Sequence, residues 1–197
     1  MIWALLAGCA STGVDGVVAG ANVDVTSATF AEVPGVWEGE GAVLVWLLPG
    51  DDACAALTGW LAVSQETRDP VALTDAWSAA FPDRFWQVDV VLRVTDPHAS
   101  QQGEWLTGTA WDEEATAPGQ AYAALTHHSG VPGLGEGAPT WYSHRGLLKI
   151  HGHRPGDSLS GVFTTEAAEA DDGARDGEVV VRFDAEHCAD VEALLTR

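Results

Sequence analysis

Apolar and polar residues alternate along much of this chain with a period of two, the spacing of a β-strand with one buried face. The clearest run is Phe85 to Thr95. Trp86, Val88, Val90, Leu92 and Val94 fall on one side, and Gln87, Asp89, Arg93 and Thr95 on the other. Val179, Val181 and Phe183 alternate with Glu178 and Arg182 in the same way, as Val23 and Val25 do with Asp24 and Thr26. Ala42 to Leu48 is instead continuously apolar and stops at Pro49-Gly50, which predicts a strand covered on both faces. Further strands are expected over 105–111, 120–128, 140–151 and 158–165. Turn signals separate them, among them Pro132-Gly133, Pro155-Gly156-Asp157 and Asp172-Gly173.

In three places the apolar spacing changes to that of a helix. Asp51-Asp52 offers an N-cap, and Ala53, Ala56, Leu57, Trp60 and Leu61 follow on one face with Cys54 on its flank. A second short helix is predicted from a Thr74 cap to Phe81, stopped by Pro82. Cys188, Val191, Leu194 and Leu195 predict a third at the end of the chain. The pattern as a whole predicts a mainly β fold, an antiparallel sandwich or barrel of about eight strands with two or three short helices. Residues 10–22 are small and Gly-rich and read as a tether, leaving one β-rich domain over 23–197. The acidic stretch from Glu166 to Glu178 has few large apolar groups and reads as a mobile loop.

Composition narrows the function classes. Acids outnumber bases 29 to 9, for a formal net charge of -20, which excludes nucleic-acid binding through basic patches. Nine tryptophans and 22 glycines suit a β-rich exported protein with tight turns.

The amino terminus adds a location. Leu6-Ala7-Gly8-Cys9, followed by the small polar Ala10-Ser11-Thr12-Gly13, resembles the lipobox of bacterial lipoproteins made with a type II signal peptide. The layout is similar to that of acidic β-domain lipoproteins of gram-negative bacteria. The resemblance implies that residues 1–8 are a signal peptide, and that Cys9 becomes the first residue and is acylated on sulfur and amine. It implies a tether over 9–22 and, since Ala10 is not aspartate, the outer membrane. The acyl chains exceed the two-signal threshold for stable anchoring. The apolar run before Cys9 is about six residues against the usual 7–15 and has no Lys or Arg before it, which a start codon assigned too far downstream would explain. With Cys9 taken by lipid, Cys54 and Cys188 remain in an oxidising compartment and are expected to pair; two buried free thiols are the alternative.

Candidate chemistry is sparse. His151-Gly152-His153 lies on a predicted strand, where residues two apart share a face, so both imidazoles could reach one metal ion. His127 or His128 would supply a third ligand from a neighbouring strand, whereas His144 has the opposite parity from His151. Asp112-Glu113-Glu114 follows a predicted strand, and Asp171-Asp172-Gly173 with Asp176 and Glu178 faintly matches a calcium loop without its alternating ligands. Trp105 and Trp111 fall on one face, with Trp141 on a possible neighbour, and exposed rings so arranged bind sugars. No nucleophile elbow or phosphate loop is present, and no cofactor is expected. The expected function is a membrane-anchored lipoprotein, held by its lipid and serving as a structural or interaction module with a protein or glycan partner. The alternatives are a metal-dependent hydrolase using the His-x-His strand and a carbohydrate-binding module using the tryptophans.

Overall fold

The computed structural model describes residues 12–107, 119–132, 138–169 and 175–197. Among them the chain order is Gly13–Asp15 (β1), Val17–Val18 (β2), Ala21–Asn22 (β3), Ser27–Trp37 (β4), Glu40–Leu48 (β5), Ala53–Glu66 (α1), Pro70–Ala80 (α2), Phe85–Val94 (β6), Gly103–Thr107 (β7), Gln120–His128 (β8), Thr140–Arg154 (β9), Ser158–Glu169 (β10), Arg175–His187 (β11) and Ala189–Leu195 (α3). The protein is mainly β, and a ring of 8 strands closes into a barrel in the order β4-β5-β6-β8-β7-β9-β10-β11. Most neighbours are antiparallel. The ring is closed by a short parallel contact, Glu186 against Thr29 and His187 against Phe30, and the short β7 wedges in parallel to β8. Closure removes the exposed edges that an open sheet of this size would carry.

The period-two pattern explains which side of each strand is filled. Trp86, Val88, Val90, Leu92 and Val94 of β6 point into the barrel with Val43, Val45 and Leu47 of β5. Phe30, Phe163 and Phe183 pack beside them from β4, β10 and β11. The continuous apolar run of β5 is covered on both faces because its other side, with Ala31 and Val33 of β4, lies under the helices. Leu57 of α1, Trp77 of α2 and Val191 of α3 supply that cover. Asp52 caps α1 by accepting from Ala55 N at 2.9 Å. Cys54 in α1 and Cys188 at the start of α3 form a disulfide with a Cα–Cα distance of 5.5 Å.

Four expectations change. The segment read as a tether is folded from Gly13 onward: β1 pairs with β11 (Val14 opposite Val181), and Val18 is fully buried. The strand expected at 23–26 starts instead at Ser27 and runs through Phe30 and Glu32. Helix α2 begins at Pro70, capped by Asp69, and Thr74 lies inside it with its hydroxyl on Pro70 O. Of the predicted 166–178 loop, the described residues 166–169 and 175–178 are strand. β10 continues to Glu169 because its small Ala167 and Ala168 pair with Ser143 and Tyr142, so the ladder overrides weak side-chain preference. Cys9, Trp111, Asp112-Glu113-Glu114, residues 133–137 and Asp171-Asp172-Gly173 lie outside the described residues. Among the described residues no helix is long and apolar enough to cross a membrane.

Candidate functional site

The alternation along β4 turns Ala28 and Phe30 inward and carries Glu32 with them, leaving a carboxylate only 2% exposed. Its two oxygens are held from three separate segments. His153 Nε2 lies 3.0 Å from Oε1, while His98 Nδ1 (3.2 Å) and the backbone N–H of Gly156 (3.1 Å) reach Oε2. Gly156 occupies the β9–β10 turn at φ +68°, a conformation that favours glycine and that brings its N–H to the carboxylate. His98 comes from the 96–101 loop after β6, which folds over this end of the barrel and is tied by Gln101 to Asp96 O and Ala99 O.

The proton on His153 can be placed. Its Nδ1 accepts the Gln101 backbone N–H at 3.0 Å, so Nε2 carries the hydrogen and donates it to Glu32. Burial holds this imidazole below its ordinary pKa, although Glu32 pulls the other way. The ring is therefore a neutral donor, fixed edge-on against Phe30 at 5.8 Å.

A second layer adjoins Glu32 where β11 meets α3. Glu192 Oε2 lies 2.7 Å from His187 Nε2 and accepts the Glu32 backbone N–H at 3.1 Å. The His187 ring packs edge-on against Phe30 at 5.2 Å, and the residue's backbone N–H donates to Asp157 O in the β9–β10 turn. One donor atom each from Glu32, His187 and Glu192 lies within 4.8 Å of the others, a span a single cation could bridge. His187 and Glu192 side chains are 13% and 24% exposed, so this corner meets solvent while Glu32 does not.

The site expected at His151 and His153 is not assembled, for a reason visible in the ladder. Between Ile150, opposite Gly161, and Gly152, opposite Ser160, the register slips by one, and His151 is the extra residue. The bulge leaves His151 exposed and turns His153 inward, so the two imidazoles do not share a face. His144 is the extra residue of a second bulge in the same strand. His127 stacks on Trp86 (4.9 Å) level with the start of β9, at the other end of the strand from His153. The predicted aromatic row is not formed by its described members. Trp141 is buried against Trp86 at 5.3 Å, and Trp105 packs on the barrel core with its Nε1 donating to Gln101 O. The residues that sequence reasoning missed are Glu32, His98, His187 and Glu192; the available signal was an acid at the inward parity of a strand, two positions after Phe30.

A separate imidazole lies beneath α2. His128 stacks on Phe85 at 4.9 Å and meets Trp77 at 5.2 Å, and neither ring nitrogen has a hydrogen-bond partner among the described residues. Burial, aided by the neighbouring His127, pushes its pKa down to about 4. The half-buried Asp89 shifts oppositely: desolvation raises its carboxyl to about 6 against the hydrogen bond from Gln87. For His128 the unfolded chain takes the proton first, so stability falls as pH drops from about 6.5 toward 4. For Asp89 the folded chain takes it first, so stability rises as pH falls from about 6 toward 4. Urea unfolding at pH 7 and 4.5 separates the two. His128→Phe is expected to recover about 2 kcal/mol at pH 4.5 and little at pH 7. Asp89→Asn is expected to stabilise at pH 7 by about 1–2 kcal/mol, partial exposure being allowed for, and by about a third as much at pH 4.5. Equal effects at both pH values would contradict these assignments.

Comparison with family models, curated proteins and solved structures returns no match to this chain.

Proposed function

We propose that the chain is a lipid-anchored protein of the cell envelope, acylated on Cys9 and held on the outer membrane of a gram-negative bacterium. Its barrel serves there as a structural or interaction module. The observation that carries this reading is the Cys54–Cys188 disulfide. It fits an oxidising compartment, and it leaves the third cysteine, inside Leu6-Ala7-Gly8-Cys9, as the odd one. The fold also shortens the tether. With β1 starting at Gly13, only residues 10–12 separate Cys9 from the barrel. Fully extended, they reach about 10–14 Å, so the module would ride close to the lipid surface.

The test is fatty-acid labelling and membrane fractionation of the full chain expressed in a gram-negative host. Acyl label and membrane partition are expected in the unmodified chain and not in Cys9→Ala, with the disulfide intact in both. An unlabelled, fully soluble unmodified chain would overturn the proposal.

A further inference from the structure

We propose that Glu32, His187 and Glu192 form a binding site for one divalent transition-metal ion of the zinc class, at the end of the barrel where β11 meets α3. The inference stands independently of lipidation.

The first argument is the donor set. An imidazole nitrogen and two carboxylate oxygens lie within 4.8 Å of one another. Ligands bound at zinc distances in a tetrahedron sit about 3.4 Å apart, so the widest separation closes by at most about 1.4 Å while the 2.7 Å His187–Glu192 pair opens by about 0.7 Å. His98 Nδ1 lies 3.2 Å from Glu32 Oε2 on an exposed loop residue, on the Glu32 side of the trio. Mixed nitrogen and oxygen donors favour zinc-class ions, whereas calcium and magnesium prefer oxygen alone.

The second argument is charge. Two carboxylates share this corner, and among the described residues neither is paired with a Lys or Arg; their ion-pair partners are histidines alone. His153 Nδ1 accepts from the Gln101 N–H, which leaves its Nε2 as the donor to Glu32. Two carboxylates held close together, one buried and one at the solvent edge, with no Lys or Arg beside them among the described residues, leave a place for a cation.

The third argument is that the ligands are already oriented. Gly156 and His153 fix the Glu32 carboxylate, and the Phe30 ring packs edge-on against the His187 imidazole, whose backbone is held by Asp157 O. The start of α3 is pinned by the disulfide and by Cys188 N on Phe30 O at 2.8 Å, which sets the position of Glu192. Outer contacts of this kind hold ligands in a metal-ready arrangement. The partial exposure of His187 and Glu192 gives an ion, with its remaining water, a way in.

The test is isothermal titration of the detergent-solubilised, EDTA-stripped full chain with Zn²⁺, and with Ca²⁺ and Mg²⁺ in parallel. One zinc per chain is expected, bound at least tenfold more tightly than calcium. His187→Ala and Glu192→Gln are each expected to weaken zinc at least tenfold while melting in EDTA as the unmodified chain does. His151→Ala, on the exposed bulge, is expected to leave affinity unchanged. Failure to bind zinc at micromolar concentration, zinc affinity unaffected by His187→Ala, or calcium bound as tightly as zinc would each overturn the proposal. If His187→Ala does not fold, Co²⁺ in the unmodified chain decides. Paramagnetically shifted imidazole N–H resonances assignable to His187 support the site, and their absence refutes it.

Discussion

Replacing Cys54 and Cys188 together with alanine is expected to destabilise the protein by up to about 5 kcal/mol. The bridge closes a loop of sequence separation 134. On chain-entropy grounds a loop of that length restricts the unfolded chain by about 5 kcal/mol, with measured values often lower. That is a large share of the roughly 5–15 kcal/mol that holds a typical domain folded. The loss has a local component as well. The bridge joins α1 to the first residue before α3, and both helices cover the outer faces of β4 and β5. Cys188 itself is fully buried, with Thr58 Oγ1 3.7 Å from its sulfur. Helix α3 has only 7 residues, too few to be stable without packing. Amide exchange in Val191 and Leu194 should therefore quicken more than in β6. Urea unfolding of the double variant, and of the unmodified chain with reductant, measures the effect. A loss under about 1 kcal/mol in both would show that the bridge contributes little here.

The barrel was legible where one face of a strand is uniformly apolar. Trp86 to Val94 and Val179 to Phe183 declare their inward sides by alternation, and Ala42 to Leu48 declares its double cover by having none. The helix at Ala53 was marked by cap and spacing, and the one at Ala189 by spacing alone. The Glu32 cluster was not legible, for three physical reasons. His187 and Glu192 are neighbours in sequence, but they meet Glu32 only by ring closure, a parallel contact of two residue pairs that no local pattern signals. Period-two reasoning marks inward positions by apolarity, so an inward glutamate disguised β4. And the bulges at His144 and His151 reset the parity of β9 twice, which made a histidine pair that shares no face look like a ligand pair. The segment at 13–22 was hidden differently. Its short strands are small and Gly-rich, and their order comes from pairing with β11 and from the burial of Val18.

Glu32→Ala in metal-free buffer is expected to cost about 3–5 kcal/mol, the range for removing one partner from a buried charged network. The carboxylate is the point on which the 96–101 loop, the β9–β10 turn and β9 converge, through His98, Gly156 and His153. Removing it leaves the buried His153 Nε2–H without an acceptor and takes away the partner of the Gly156 N–H. Removal also leaves a small void beside Phe30. His98→Ala, by contrast, deletes a half-exposed side chain and should cost less than about 1 kcal/mol, in the range of surface pairs. Glu32→Gln keeps one acceptor but aims an amide N–H₂ at a donor, so it should fall between the two. The damage should also be local before it is global. Amide protection at Gln101, whose N–H rests on His153 Nδ1, and at Gly156 should drop in Glu32→Gln while the centre of β6 keeps its protection. Urea unfolding in EDTA and native-state hydrogen exchange read both effects. If Glu32→Ala and His98→Ala prove equally mild, the buried carboxylate does not organise this end of the barrel, and the three segments are held by the packing around Phe30 instead.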